Sequence, residues 1–91
     1  MAANLDDPEF PALIRAGAPD AIQTVVQTYL GQILRAARGA GLDAQQAEDV
    51  TQETFATFIE TAPRFESRSH VRTWLFGILI THTRMTSFTG T

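Results

Sequence analysis

The sequence predicts an all-α fold, a compact bundle of about four helices with an irregular C-terminal tail. Three observations carry this. Residues 19–38 and 43–62 repeat apolar side chains at spacings of three and four, the mark of a helix with one buried stripe. Gly17, Gly39, Gly41 and Pro63 stand where those stripes stop. No stretch reads as a strand.

The first helix is short, over roughly residues 8–16, starting after Asp6 or Asp7 and broken by Gly17. The second covers about residues 19–38. Pro19 suits a first helical turn, and Asp20 there favours the helix dipole. Ile22, Val25, Val26, Tyr29, Leu30, Ile33, Leu34 and Ala37 form its apolar stripe, and Gly39 and Gly41 end it. The third begins with Asp43 at the N-cap and Gln46 three residues on, a capping-box pattern, and runs to about Ala62. Ala47, Val50, Phe55, Phe58, Ile59 and Ala62 share one side of it, and Asp49, Gln52, Glu53 and Glu60 the other. After a loop over residues 63–68, Ser67 or Ser69 caps a fourth helix that runs to about Thr81, with Val71, Trp74, Leu75, Ile78 and Leu79 facing inward.

Beyond Ile80 the chain is rich in β-branched and small polar residues, which are weak helix formers. The expectation is one domain over residues 1–80 and a frayed tail over residues 81–91. An uncovered Phe76, Leu79 and Ile80 would then form an apolar patch able to drive self-association.

The 91 residues suffice for one small domain, and a 44% hydrophobic content is that of a globular chain. There is no cysteine, which excludes disulfides and thiolate metal sites. The N-terminus lacks the basic and apolar regions of a signal peptide, and no apolar run approaches the ~20 residues of a membrane span. A soluble cytoplasmic domain without membrane contact is expected. The net charge of −3 is unevenly spread. Residues 1–62 hold three arginines against nine acids, −6, and residues 63–91 hold four arginines against Glu66, +3. All seven cations are arginines, whose planar fork suits phosphates and base stacking.

Two constellations stand out. Asp49, Gln52 and Glu53 lie together at i, i+3 and i+4 on helix three, where their like charges would be relieved by a basic partner. The same residues also suit an ordinary solvated face. The run Pro63-Arg64-Phe65-Glu66-Ser67-Arg68-Ser69-His70-Val71-Arg72-Thr73-Trp74 interleaves guanidiniums, aromatic rings, hydroxyls and a helix start. Such mixtures hold single-stranded nucleic acid, and a loop beside aromatics can receive an unstacked base. Its bland counterpart makes Phe65 and Trp74 core residues and the arginines solvated. His70 and His82 lie three turns apart without convergent ligands, so neither metal nor cofactor is expected. No nucleophile–base arrangement, phosphate-binding glycine loop or inward-facing carboxylate pair supports an enzyme.

Three ordered motifs resemble a known family: Ala47-Glu48-Asp49-Val50-Thr51-Gln52-Glu53-Thr54-Phe55, then Pro63-Arg64-Phe65, then Ser69-His70-Val71-Arg72-Thr73-Trp74-Leu75-Phe76-Gly77-Ile78. Together they look like the second domain of sigma factors of the extracytoplasmic-function (ECF) group of the sigma-70 family, over about residues 7–80. The resemblance implies a transcription-initiation domain that docks on core RNA polymerase and recognises and melts the −10 promoter element. It implies that Asp49, Gln52 and Glu53, with Glu48 beside them, meet the arginine-rich β′ clamp helices. It implies that the loop of Arg64, Phe65, Ser67, Arg68 and Ser69 captures a flipped base of the −10 non-template strand. His70, Arg72, Thr73 and Trp74 would meet the duplex–single-strand junction. An anti-sigma factor is a further partner implied by resemblance alone.

The sequence departs from the family pattern in two ways. Where the family continues helix four with a basic, asparagine-containing segment, residues 81–87 carry Arg84 as their one full charge. The family's helix-turn-helix domain has no room in this length, which suggests an excised domain or a truncated chain. The alternative function is therefore a truncated sigma domain that binds the polymerase clamp or an anti-sigma factor without a DNA function. A generic helix-turn-helix duplex binder fits less well, because helix four spends much of its surface on core.

Overall fold

The structure, a computed structural model, describes residues 8–65 and 70–89, with side chains as far as residue 84. Among these residues all regular structure is helical: α1 (Phe10–Arg15), α2 (Pro19–Gly39), α3 (Ala44–Thr61), a 3₁₀ turn (Ala62–Arg64) and α4 (Val71–Thr89). The all-α bundle expected from the periodicity is the observed architecture.

The helices stop where the backbone can reverse. Gly17 has φ 71° and Gly41 φ 97°, left-handed values that suit glycine. At the end of α1 the Gly17 N–H donates to the Ile14 carbonyl at 2.9 Å and the Ala18 N–H to the Leu13 carbonyl at 3.0 Å. At the end of α2 the Gly41 N–H donates to Arg38 at 3.0 Å and the Leu42 N–H to Ala37 at 3.4 Å. Both are Schellman caps, which satisfy carbonyls the helix leaves unpaired. The second is sealed by Leu42, which is buried. At the start of α3 the Asp43 carboxylate accepts the Gln46 N–H at 2.8 Å, and the Gln46 side-chain oxygen accepts the Asp43 N–H at 3.1 Å. This is the reciprocal capping box read from the sequence.

The core runs through all four helices. Ala21, Val25, Tyr29, Ile33 and Ala37 of α2 meet Ala47, Val50, Phe55 and Phe58 of α3 and Val71, Leu75 and Leu79 of α4. α2, α3 and α4 pack against one another, and α1 closes one end by resting on the 3₁₀ turn and α2. Phe10 and Ile14 of α1 and Phe65 beyond the 3₁₀ turn are fully buried there. Thr51 and Thr54 are buried too, their hydroxyls returned to the Ala47 and Val50 carbonyls at 2.7 Å. That bond removes the cost of an unpaired buried hydroxyl.

Four expectations are corrected. α1 begins at Phe10 rather than near Pro8, with Glu9 as its N-cap, so the expected start after Asp6 or Asp7 does not hold. Leu30 is 46% exposed and Ile59 51% exposed, although both were assigned to apolar stripes. Each follows a buried neighbour, Tyr29 or Phe58, and one residue turns about 100° around a helix, enough to leave a narrow core face. The segment after Ile80 is not irregular through residue 89: α4 continues to Thr89. Low intrinsic propensity yields to tertiary contact, of which the hydrogen bond between His82 and Thr57 of α3 is one. The extended helix places Thr83 and Arg84 beside Phe76, Leu79 and Ile80. With Ala36 and Ala40 of α2 these line an apolar groove of about 200 Å³. Leu79 is buried and Phe76 half-buried, so of the expected apolar patch Ile80 is the exposed member. No helix of the described residues is long and apolar enough to cross a membrane.

Candidate docking face and nucleic-acid interface

Burial of Ala47, Val50, Phe55 and Phe58 turns the opposite side of α3 to water. Glu48, Asp49, Gln52 and Glu53 are all exposed on it, so the structure brings the four expected docking residues onto one helix surface. The Gln45 side-chain amide donates to Asp49 Oδ1 at 3.1 Å. Glu53 is held from another helix. Its Oε2 lies 3.4 Å from His82 Nδ1, while His82 Nε2 is hydrogen-bonded to the Thr57 hydroxyl at 2.9 Å. The carboxylate beside Nδ1 favours a proton on that nitrogen, which leaves Nε2 of the neutral ring as acceptor from Thr57. What the face offers chemically is a group of hydrogen-bond acceptors with net negative charge on a well-capped helix, suited to guanidinium donors.

The second surface lies where the chain leaves the 3₁₀ turn and enters α4. Arg64 ends the turn and is exposed. His70 is exposed just before α4, and its carbonyl accepts the Trp74 N–H at 3.1 Å, the first bond of the helix. Arg72 and Thr73 are exposed on the first turn, and Trp74 is half-buried. The Arg72 guanidinium lies 4.7 Å from the centroid of the Phe76 ring, one turn on, a cation–π contact that holds the arginine along the helix. Ser67, Arg68 and Ser69, also expected in this surface, lie outside the described residues.

Phe65 does not belong to the exposed surface. It is 1% exposed, and its ring packs on Trp74 with centroids 4.7 Å apart and planes tilted by 35°. It belongs to the buried core, so it has no face to offer a base. Its part is to back Trp74. Arg64, His70, Arg72, Thr73 and the outer part of Trp74 are the described residues that remain available.

Sequence reasoning missed His82, weighed there only as a weak metal candidate paired with His70. Twelve residues of helix put the two about 18 Å apart, and His82 is engaged by Thr57 and Glu53 instead. The available signal was spacing: Glu53 and Thr57 form an i, i+4 pair facing whatever packs on that edge of α3. Which residue packs there depends on the course of α4.

The sigma-70 region 2 family model matches residues 25–84, most of α2, all of α3 and α4 as far as Arg84. Two curated relatives are each 53% identical over 36 residues, 40% of this chain: the ECF RNA polymerase sigma factor SigC of Mycobacterium tuberculosis and the probable RNA polymerase sigma-C factor of Mycobacterium bovis. The matched stretch spans 20% of the length of each relative. No solved structure gives a significant match. With the family match covering both candidate surfaces and more than half of the chain, this protein belongs to the sigma-70 region 2 family.

Proposed function

We propose that the chain is the polymerase-docking and −10 promoter-recognition domain of a sigma factor of the ECF group. The α3 face of Glu48, Asp49, Gln52 and Glu53 docks on the arginine-rich β′ clamp helices of core RNA polymerase. The start of α4 and the loop before it hold the −10 non-template strand. Arg64 and Arg72 meet phosphates, the outer face of Trp74 meets a base, and His70 and Thr73 supply donors beside them. Ser67, Arg68 and Ser69 are proposed to complete the base-capturing loop. The observation that carries this reading is the location of the family match: it contains an exposed acidic face on α3 and, after α3 in the chain, an arginine-bearing helix start.

The work is done by binding energy. Strand separation is favoured because an unstacked base gains about 1–3 kcal/mol from an aromatic platform, and phosphate contacts release condensed counterions. No bond is made or broken.

Fluorescence anisotropy with a −10 non-template oligonucleotide tests the nucleic-acid half. Binding should be present at low salt, weaken as salt rises and weaken again in Arg72→Ala. Absence of binding at low salt would leave the second reading, a protein-interaction module that engages polymerase or an anti-sigma factor without holding DNA. One observation favours that alternative: after Ile80, Arg84 is the one full charge. Pull-down with core polymerase tests the docking half, and unchanged capture of a folded Asp49→Ala variant would sink it.

A further inference from the structure

We infer that His82 is a positioning residue that sets the Glu53 carboxylate on the docking face by bridging α4 to α3. The inference rests on the proposed docking role of that face and goes beyond it by naming a residue on another helix through which the face is ordered.

The geometry is specific. Glu53 and Thr57 are one turn apart on α3, and the His82 imidazole reaches both from α4. The Thr57 hydroxyl at 2.9 Å from Nε2 limits rotation of the ring. With that edge held, Nδ1 faces Glu53 Oε2 at 3.4 Å. The His82 side chain is 19% exposed and the Glu53 side chain 62% exposed, so a largely buried group lies against a solvated one. A glutamate on a bare helix face samples many rotamers and must give them up when a partner binds. A ring fixed at one edge by Thr57 restricts Glu53 beforehand and leaves most of its side chain open to a partner. A ring with its proton on Nδ1 also turns its positive edge toward a face that carries like charges at Asp49 and Glu53.

The proposal separates the two edges of the ring, and so does its test. An asparagine amide stands near the position of Nδ1 and a glutamine amide reaches that of Nε2. His82→Asn thus keeps a donor for Glu53, and His82→Gln keeps a partner for Thr57. Affinity of the full chain for core RNA polymerase is measured for both, for His82→Ala, for Glu53→Ala and for the double variant, with circular dichroism reporting helix content. His82→Ala and His82→Gln should weaken binding about two- to fivefold, the range of a partly exposed polar contact, while His82→Asn stays close to the parent. In the Glu53→Ala background His82→Ala should add nothing. Equal losses in the Asn and Gln variants, or an undiminished His82→Ala loss without Glu53, would overturn the inference and leave a purely structural contact. If Glu53→Ala itself binds as the parent does, the docking role of Glu53 falls and the positioning role with it. That result differs from a weakened Glu53→Ala beside an inert His82→Ala, which overturns the positioning role alone.

Discussion

The two candidate surfaces are built on opposite principles. On α3 the candidate docking residues are the ones the core does not use. A capping box fastens the helix start, one side packs, and the other presents Glu48, Asp49, Gln52 and Glu53 to water. At the start of α4, structure and candidate function draw on the same aromatics. Phe65 is spent on the core, and Trp74 is shared between Phe65 and solvent. A charged helix face can change without touching the fold. An aromatic platform that is half core cannot, so the proposed nucleic-acid surface is tied to stability in a way the proposed docking face is not.

Three substitutions probe that difference. Phe65→Ala should have the largest effect, a loss of about 3–5 kcal/mol because it empties a fully buried ring site. Urea unfolding would read it, and oligonucleotide binding should fall together with stability. A loss below about 1 kcal/mol would mean that Phe65 is not the core residue its burial indicates. Trp74→Ala should cost oligonucleotide affinity about 1–3 kcal/mol, with a smaller loss of stability. Polymerase capture measured on the same folded protein should not change, and a parallel fall in both activities would erase the contrast between the surfaces. Asp43→Ala removes the cap of α3 and should cost about 1 kcal/mol in thermal or chemical unfolding. Capture by polymerase should fall only as far as folded protein is lost, and oligonucleotide binding should follow the same curve. A specific docking defect at full helix content would mean that the cap residue itself meets the partner.

Much of this architecture was legible beforehand because it rests on local rules. Asp43 and Gln46 announce a helix start, Gly17 and Gly41 a left-handed turn, and i, i+3, i+4 spacing places Asp49, Gln52 and Glu53 side by side wherever α3 lies. The misreadings share a cause. Leu30 and Ile59 fit a helical stripe, but the width of a stripe depends on what packs over it. Residues 81–89 have weak helix propensity, but propensity differences of tenths of a kcal/mol per residue yield to tertiary contacts such as that of His82 with α3.

The sequence by itself determined where the helices are punctuated, which side of α3 carries charge and which residues supply cations near α4. These follow from backbone geometry and side-chain chemistry within a few residues of each other. Tertiary structure alone decided that Phe65 is lost to the core, that α4 runs on past Ile80 and that His82 lies between Thr57 and Glu53. Each of those depends on residues far apart in the chain being brought into contact, and one helix's periodicity holds no information about what another helix brings to it.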